Sequence, residues 1–499
     1  YSSANIQLDL NGYKIDRALS TERSHGLVIR VSGKLEIIDS YAGDDREGMI
    51  TGGKTTNVTY AGGVAVYNGG ECVILGGTIT GNTGPNGGVS AYSAGKLSLG
   101  GDVKIYGNTN SAGEDKNITI SSTTGVIGIA AELTGGKKFG VTRLGNGAFT
   151  EGFGEHHTED KSPQDFFISE DGLYRIVLSE LDGKREGAML SNDNAVNWLY
   201  TVQQSLGSNG AEKEYTLYSP WTAAENSSYR TAFGTNGTAY YSGGLYVPAG
   251  ANIVLDLNGH TINRNYDGGI VIYVAGTLKI IDRTVNSDTD VKGTITGGNY
   301  GVYIYNGGSC TLEEGVITGH KTYGVYDYNG SFTMTGGEIV KNNGQYNLYV
   351  AANGTLSMGG KPTISEPAQE SGKNIYLTPS TEINIVAPFE AGTSVALTRE
   401  GIGNLTNGWA AHHTNEFGQT ADPVGYFTSE LNDYEVDWDE DTKEAVIISH
   451  NNAINWHYAV TKSLSTNTKQ SVRLWGKTDD EGNEILSCDA EPNSSYTTA

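Results

Sequence analysis

The chain has 499 residues, long for a single core, with 70 glycines, 30 tyrosines and a net charge of −24. That acidic balance without a basic cluster speaks against binding nucleic acid or an anionic membrane. No apolar run approaches the roughly 20 residues of a membrane span. Glycine in clusters rather than at every third position excludes collagen, and three cysteines are too few for a disulfide framework.

Glycine clusters between short runs of Val, Ile, Leu, Thr and Tyr read as strands and turns. The first is Asn5-Ile6-Gln7-Leu8-Asp9-Leu10, closed by Asn11-Gly12, and Leu35-Glu36-Ile37-Ile38-Asp39 follows. Cys72 and Ile74 alternate ahead of Gly76-Gly77, as do Leu97 and Leu99 ahead of Gly100-Gly101. Further along come the adjacent histidines His156-His157 and a near-helical apolar spacing at Val196, Leu199, Val202 and Leu206, with Asn194 as N-cap.

The chain then copies itself. Asn252-Ile253-Val254-Leu255-Asp256-Leu257-Asn258-Gly259 repeats the first strand, and Leu278-Lys279-Ile280-Ile281-Asp282 the second. Gly301-Val302-Tyr303, Gly324-Val325-Tyr326 and Asn347-Leu348-Tyr349 recur with a period in the low twenties. Each continues into alternation: Cys310 and Leu312, then Phe332 and Met334, then Leu356 and Met358. His412-His413 follows, then two strands flanking Asp439-Glu440-Asp441-Thr442, which read as a hairpin closing the module. A second helix, capped by Asn451 or Asn452, carries Ile454, Tyr458, Val460 and Leu464. Asn493-Ser494-Ser495-Tyr496 echoes Asn226-Ser227-Ser228-Tyr229, so a third copy begins.

This period, with two or three alternating strands per turn, fits one coil of a parallel β-helix in which each rung touches only its neighbours. The expected modules are residues 1–190, a truncated first one; 191–449, complete; and 450–499, the start of a third. No signal peptide is present and Tyr1 falls inside a repeat, so a piece of a longer array is expected. Each short helix would cover the open end of the next coil. Cys72 and Cys310 hold equivalent rung positions and read as core residues, not a disulfide.

The phrase Leu-Asp-Leu-Asn-Gly-(Tyr/His)-x-Ile, then Leu-x-Ile-Ile-Asp and Gly-x-Ile-Thr-Gly-Gly, is carried by Leu255 to Ile262, Leu278 to Asp282 and Gly293 to Gly298. It resembles the pectate-lyase-like right-handed parallel β-helix superfamily. More narrowly, it looks like the repeats of large cell-surface proteins of Gram-positive, often gut-dwelling, bacteria. The resemblance implies an all-β fold of tandem right-handed parallel β-helix (solenoid) modules, each with a short capping helix and a closing β-hairpin. It also implies a secreted or cell-surface location. It does not specify an activity, because the superfamily holds lyases, hydrolases, adhesins and stalks.

A lyase of this fold needs an acidic calcium cluster beside an Arg or Lys base, and a hydrolase needs paired Asp residues. Neither is repeated at rung spacing, so no catalytic residue, metal ligand or cofactor is assigned, weak calcium binding apart. Asp9, Asp39, Asp256 and Asp282 read as turn residues. Asp437, Asp439, Glu440 and Asp441 read as a solvated hairpin tip, and the paired histidines as a polar loop under the hairpin.

The candidate binding residues are outward tyrosines. With Val302 and Ile304 facing in, Tyr303 and Tyr305 face out. Tyr67, Tyr92, Tyr305 and Tyr328 share one position; Tyr303, Tyr326 and Tyr349 share another. Rungs about 4.8 Å apart let such rings stack as a stiffening ladder or as a platform for sugar rings. Ala65 and Ser90 stand in the first copy where the second has tyrosines. The expectation is a non-enzymatic adhesin or stalk whose partner is an extracellular glycan or a matrix protein. The alternatives are an enzyme, active or degenerate, on acidic polysaccharide, and a subunit that self-associates into an extracellular fibre.

Overall fold

The structure, a computed structural model, describes residues 3–43, 45–181, 183–222, 244–265, 269–283, 291–365, 367–368, 372–470, 477–478 and 484–485. The two Asn-Ser-Ser-Tyr segments lie outside the described residues. The chain divides into two compact units, Tyr1–Asp193 and Asn194–Ala499. Both are mostly β, with parallel sheets.

In the first unit the chain passes in turn through three parallel sheets. They begin with Asn5–Asp9, Lys14–Asp16 and Ile29–Val31, and strands pair with the strand three further along, except that Ile118–Ile120 pairs with Phe139–Arg143, two further along. The sheets hold six, four and six strands. The second unit repeats the arrangement with eight, six and eight strands, beginning at Lys213–Thr216, Trp221–Thr222 and Leu245–Val247. Antiparallel hairpins follow in both: Tyr174–Leu181 with Lys184–Ser191, and Tyr434–Asp439 with Glu444–Ser449.

Among the described residues five α-helices complete the framework: α1 (Phe153–His156), α2 (Pro163–Phe166), α3 (Asn194–Gly207), α4 (Trp409–His413) and α5 (Asn452–Thr466). Asn451 caps α5, its side chain accepting from the Ala453 N–H at 3.0 Å. Ala195, Trp198 and Val202 of α3 join the core of the second unit.

Register explains the repeats. Leu278, Cys310, Phe332 and Leu356 lie side by side on successive strands, as do Leu35, Cys72 and Leu97. All but Leu35 are buried. These rows of aliphatic side chains are the core, and both cysteines are free thiols within it. Burial pushes the Cys72 thiol up to about 12, so it is an inert core group. The turn after the first strand needs two positive φ angles in succession, which Asn11-Gly12 and Asn258-Gly259 supply.

A polar row runs beside the apolar ones. In the first unit Asn82 donates to Asn108 at 3.0 Å, Asn108 to Asn117 at 3.1 Å, and Asn117 to Glu170 at 2.7 Å. In the second, Asn342 donates to Asn347 at 3.0 Å, and Asn374 to Glu430 at 3.0 Å. The side chains satisfy buried amides that would otherwise cost about 1–3 kcal/mol each. Asn117 is therefore structural, despite its Asn-x-Thr triplet.

Candidate functional site

The third sheet of the second unit carries the aromatic face. Tyr246, Tyr273, Tyr303, Tyr326, Tyr349 and Tyr376 occupy one position on six successive strands. Beneath them Val302, Ile304, Val325 and Leu348 are fully buried, as alternation requires. Tyr300, Tyr323 and Tyr346 form a second row, and Tyr305 and Tyr328 a third, just past the strand ends.

The rings interlock as a herringbone. Tyr300 stacks on Tyr326 at 5.7 Å between centroids, and Tyr323 on Tyr349 at 5.0 Å. Within the first row Tyr303 meets Tyr326 edge-on at 5.1 Å, whereas Tyr349 and Tyr376 stack at 4.5 Å. Most ring faces are thus covered by other rings. Tyr305 and Tyr328, stacked at 5.6 Å, are the most open members, 37 % and 43 % exposed. Burial and the neighbouring phenols push Tyr303 and Tyr323 up to about 12, so those hydroxyls stay protonated at neutral pH.

Tyr246, Tyr273, Tyr300, Tyr323, Tyr346 and Tyr376 belong to the face although sequence reasoning did not single them out. Strict alternation places Tyr300 and Tyr303 on opposite sides of a strand. The structure puts them together because Gly301 and Val302 are buried in succession. A Cβ at Gly301 would lie 2.4 Å from the Gly324 carbonyl oxygen, so the close approach of the two strands requires glycine there. The recurring tetrapeptide Tyr-Gly-Val-Tyr was the available signal.

In the first unit Tyr67 and Tyr92 occupy the places of Tyr305 and Tyr328 and stack at 5.8 Å. The rest of that face is built differently. Ala65 and Ser90 are buried; Ala65 packs with Leu27 and Tyr60, and Ser90 accepts from the Ala61 N–H at 3.0 Å. Arg30 lies over the rings of Tyr60 and Tyr67, 5.4 Å from each centroid.

The paired histidines sit at the ends of α1 and α4 rather than in the polar loop expected. His157 Nε2 accepts from the Leu133 N–H at 3.2 Å while Nδ1 donates to the Phe153 carbonyl at 3.1 Å. His413 makes the same bonds with Phe389 and Trp409, and its ring stacks on Trp409 at 3.5 Å. Burial lowers both pKa values, which keeps the rings neutral. Both nitrogens of each ring are engaged by the backbone, a structural role that leaves no free lone pair for a metal.

The turn carboxylates are likewise committed. Asp39 accepts from the N–H groups of Gly12 and Gly48, and Asp282 from those of Gly259 and Gly293. Asp9 and Asp256 each accept from the backbone two residues on. Asp439 accepts from Asp441 and Thr442 at the hairpin tip. A crevice of about 600 Å³ lies between that hairpin and α5, lined by Asp437, Trp438, Asp441, Tyr458 and Lys462 among others. Among the described residues no cluster of three or more His, Cys, Asp or Glu side chains is placed to hold a metal ion, and no helix is long and apolar enough to cross a membrane.

Comparison of the chain with protein-family models, with curated proteins and with solved structures found no match. The reading of function therefore rests on the geometry of the tyrosine face.

Proposed function

We propose that this chain is part of a non-enzymatic bacterial cell-surface array built of right-handed parallel β-helix modules. In this reading the modules act as an adhesin or stalk, and the tyrosine face of the second unit contacts a host or dietary glycan. The coil is supported by topology: in the three large sheets each strand pairs in parallel with the strand three further on, or two further on at Lys373–Leu377 with Val395–Arg399. Parallel crossover connections of this kind are right-handed in nearly all known cases. The non-enzymatic reading is supported by the commitment of the turn carboxylates to backbone N–H groups.

The observation that carries the binding role is the open pair Tyr305 and Tyr328 on an otherwise interlocked face. The herringbone fixes these two rings at low entropic cost, and sugar rings bind by stacking on aromatic faces while hydroxyls bond one another. A strongly acidic chain disfavours polyanionic sugars, so a neutral polysaccharide is the partner of choice.

Screening the chain against immobilised neutral and acidic glycans and matrix proteins, with and without calcium, tests this. Selective retention on a neutral glycan is expected, weakened on the order of tenfold or more in Tyr305→Ala, Tyr328→Ala. No retention by a well-folded chain, or retention untouched by the double substitution, refutes the glycan face.

A further inference from the structure

One inward position of the second unit breaks the pattern of its row. Val247, Val274, Ile304, Val350 and Leu377 lie in one row across the third sheet, and Asp327 stands among them between Ile304 and Val350. All six are fully buried. A carboxylate in an aliphatic row is costly, and burial pushes its pKa up to about 6.

The turn that follows shows what the carboxylate does. Four residues separate Ile304 from Ser309, and four separate Val350 from Thr355, but only three separate Asp327 from Ser331. The longer turns close on themselves: the Gly308 N–H donates to the Tyr305 carbonyl at 3.0 Å, and the Gly354 N–H to the Ala351 carbonyl at 2.9 Å. In the first unit Gly70 and Gly95 do the same with Tyr67 and Tyr92, at 3.1 Å each. The short turn Tyr328-Asn329-Gly330 lacks the residue that would allow this bond. Its Gly330 N–H donates instead to Asp327 Oδ1 at 2.8 Å, and the Thr355 N–H of the next rung donates to Oδ2 at 3.0 Å.

Tyr328 opens this turn, and Asn329 ties it to the turn before. Asn329 accepts twice from the turn of Tyr305: its Oδ1 from the Asn306 N–H, and its carbonyl from the Gly307 N–H at 3.0 Å. The buried carboxylate therefore anchors a backbone segment on which both open rings of the tyrosine face depend, Tyr305 and Tyr328, stacked at 5.6 Å.

We infer that Asp327 is a positioning residue of the binding face, fixing the short turn that sets Tyr328 beside Tyr305. The inference rests on the glycan reading of that face and names the residue that pre-organises it. Asp327 touches no ligand and acts through the backbone N–H groups it holds. A charge kept in the core at a cost to stability fits a site whose geometry is the selected property.

Two measurements on the full chain test it together: hydrogen exchange of the Tyr328–Gly330 backbone, read by mass spectrometry, and retention on immobilised neutral glucan, mannan and galactan. Asp327→Val restores the aliphatic row. Exchange in that segment should then rise, and retention fall, each on the order of tenfold or more. The thermal midpoint should hold or rise, because relief of the buried carboxylate offsets the orphaned Gly330 N–H. Asp327→Asn keeps an acceptor for that N–H and should recover most of both signals. Exchange unchanged in Asp327→Val, retention that persists once the turn is released, or a midpoint that falls in step with retention would overturn the positioning role. A wild type retained on none of the three glycans removes the glycan reading and this role with it, a failure visible before any variant is made.

Discussion

At the scale of single residues, the two units solve one problem with different side chains. Asn82 in the first unit sends its amide to the Ile50 carbonyl at 3.1 Å; His320 stands at the corresponding place in the second and reaches the Ile295 carbonyl at 3.1 Å. Both backbone N–H groups donate to the next asparagine of the polar row, at 3.1 Å in each case. Burial pushes the His320 pKa down to about 4, outweighing the Gly297 and Ile295 carbonyls that favour the protonated ring. Its unfolded value lies near 6.5, so the stability contributed by the neutral ring is complete above that pH and lost as the pH falls toward 4. The full loss is about 3 kcal/mol. His320→Asn should retain the fold, because Asn82 already fills that role, and remove this component of acid sensitivity. Urea midpoints at pH 7 and pH 4.5 measure it: an equal fall in wild type and variant contradicts the assignment. Asp327 has the opposite sense. It replaces the aliphatic residues Ile304 and Val350 in an inward row, and burial raises its pKa to about 6.

At the scale of elements, strand alternation was legible wherever it was strict. Cys72, Cys310, Val302 and Ile304 face inward as period two requires, and the cap of α5 and its hairpin fall where Asn451 and Asp439 mark them, whereas Asn194 lies inside α3 with its side chain on Ser219 and Tyr215. Legibility failed where packing overrides the period. Buried Gly301 and Gly324 bring Tyr300 and Tyr323 onto the outer face, so the herringbone is larger than the repeats alone disclose. The histidine pairs were misplaced because Phe153–His156 and Trp409–His413 are too short to show a helical period. Glu170 and Glu430 end the polar rows from 53 and 56 residues away from Asn117 and Asn374, a distance no local pattern spans. The herringbone makes a graded prediction. Tyr326 touches the rings of Tyr300, Tyr303, Tyr323, Tyr328 and Tyr349, so Tyr326→Ala should cost about 2–4 kcal/mol. Tyr328→Ala, at the rim, should cost about 1 kcal/mol. Equilibrium urea unfolding of the two variants ranks them; equal losses would mean the interlocked rings add nothing beyond burial.

At the scale of the whole molecule, duplication is the organising fact. Each unit carries its own apolar rows, its own asparagine row ending in a glutamate, and its own hairpin whose glutamate caps a short helix. Glu186 and Glu444 both accept from the first N–H groups of those helices and from a threonine, Thr150 and Thr406. Structural groups repeat in both units, whereas the extended tyrosine face is developed in the second and replaced in the first by the packing of Leu27, Tyr60 and Ala65. A surface elaborated in one copy over a shared framework fits a contact role better than a framework role. Hydroxyl-radical footprinting of the chain with and without the polysaccharide that retains it tests this most directly. The account predicts that Tyr305 and Tyr328 lose reactivity on binding while Tyr67 and Tyr92 do not; protection confined to the first unit, or none at Tyr305 and Tyr328, would contradict it.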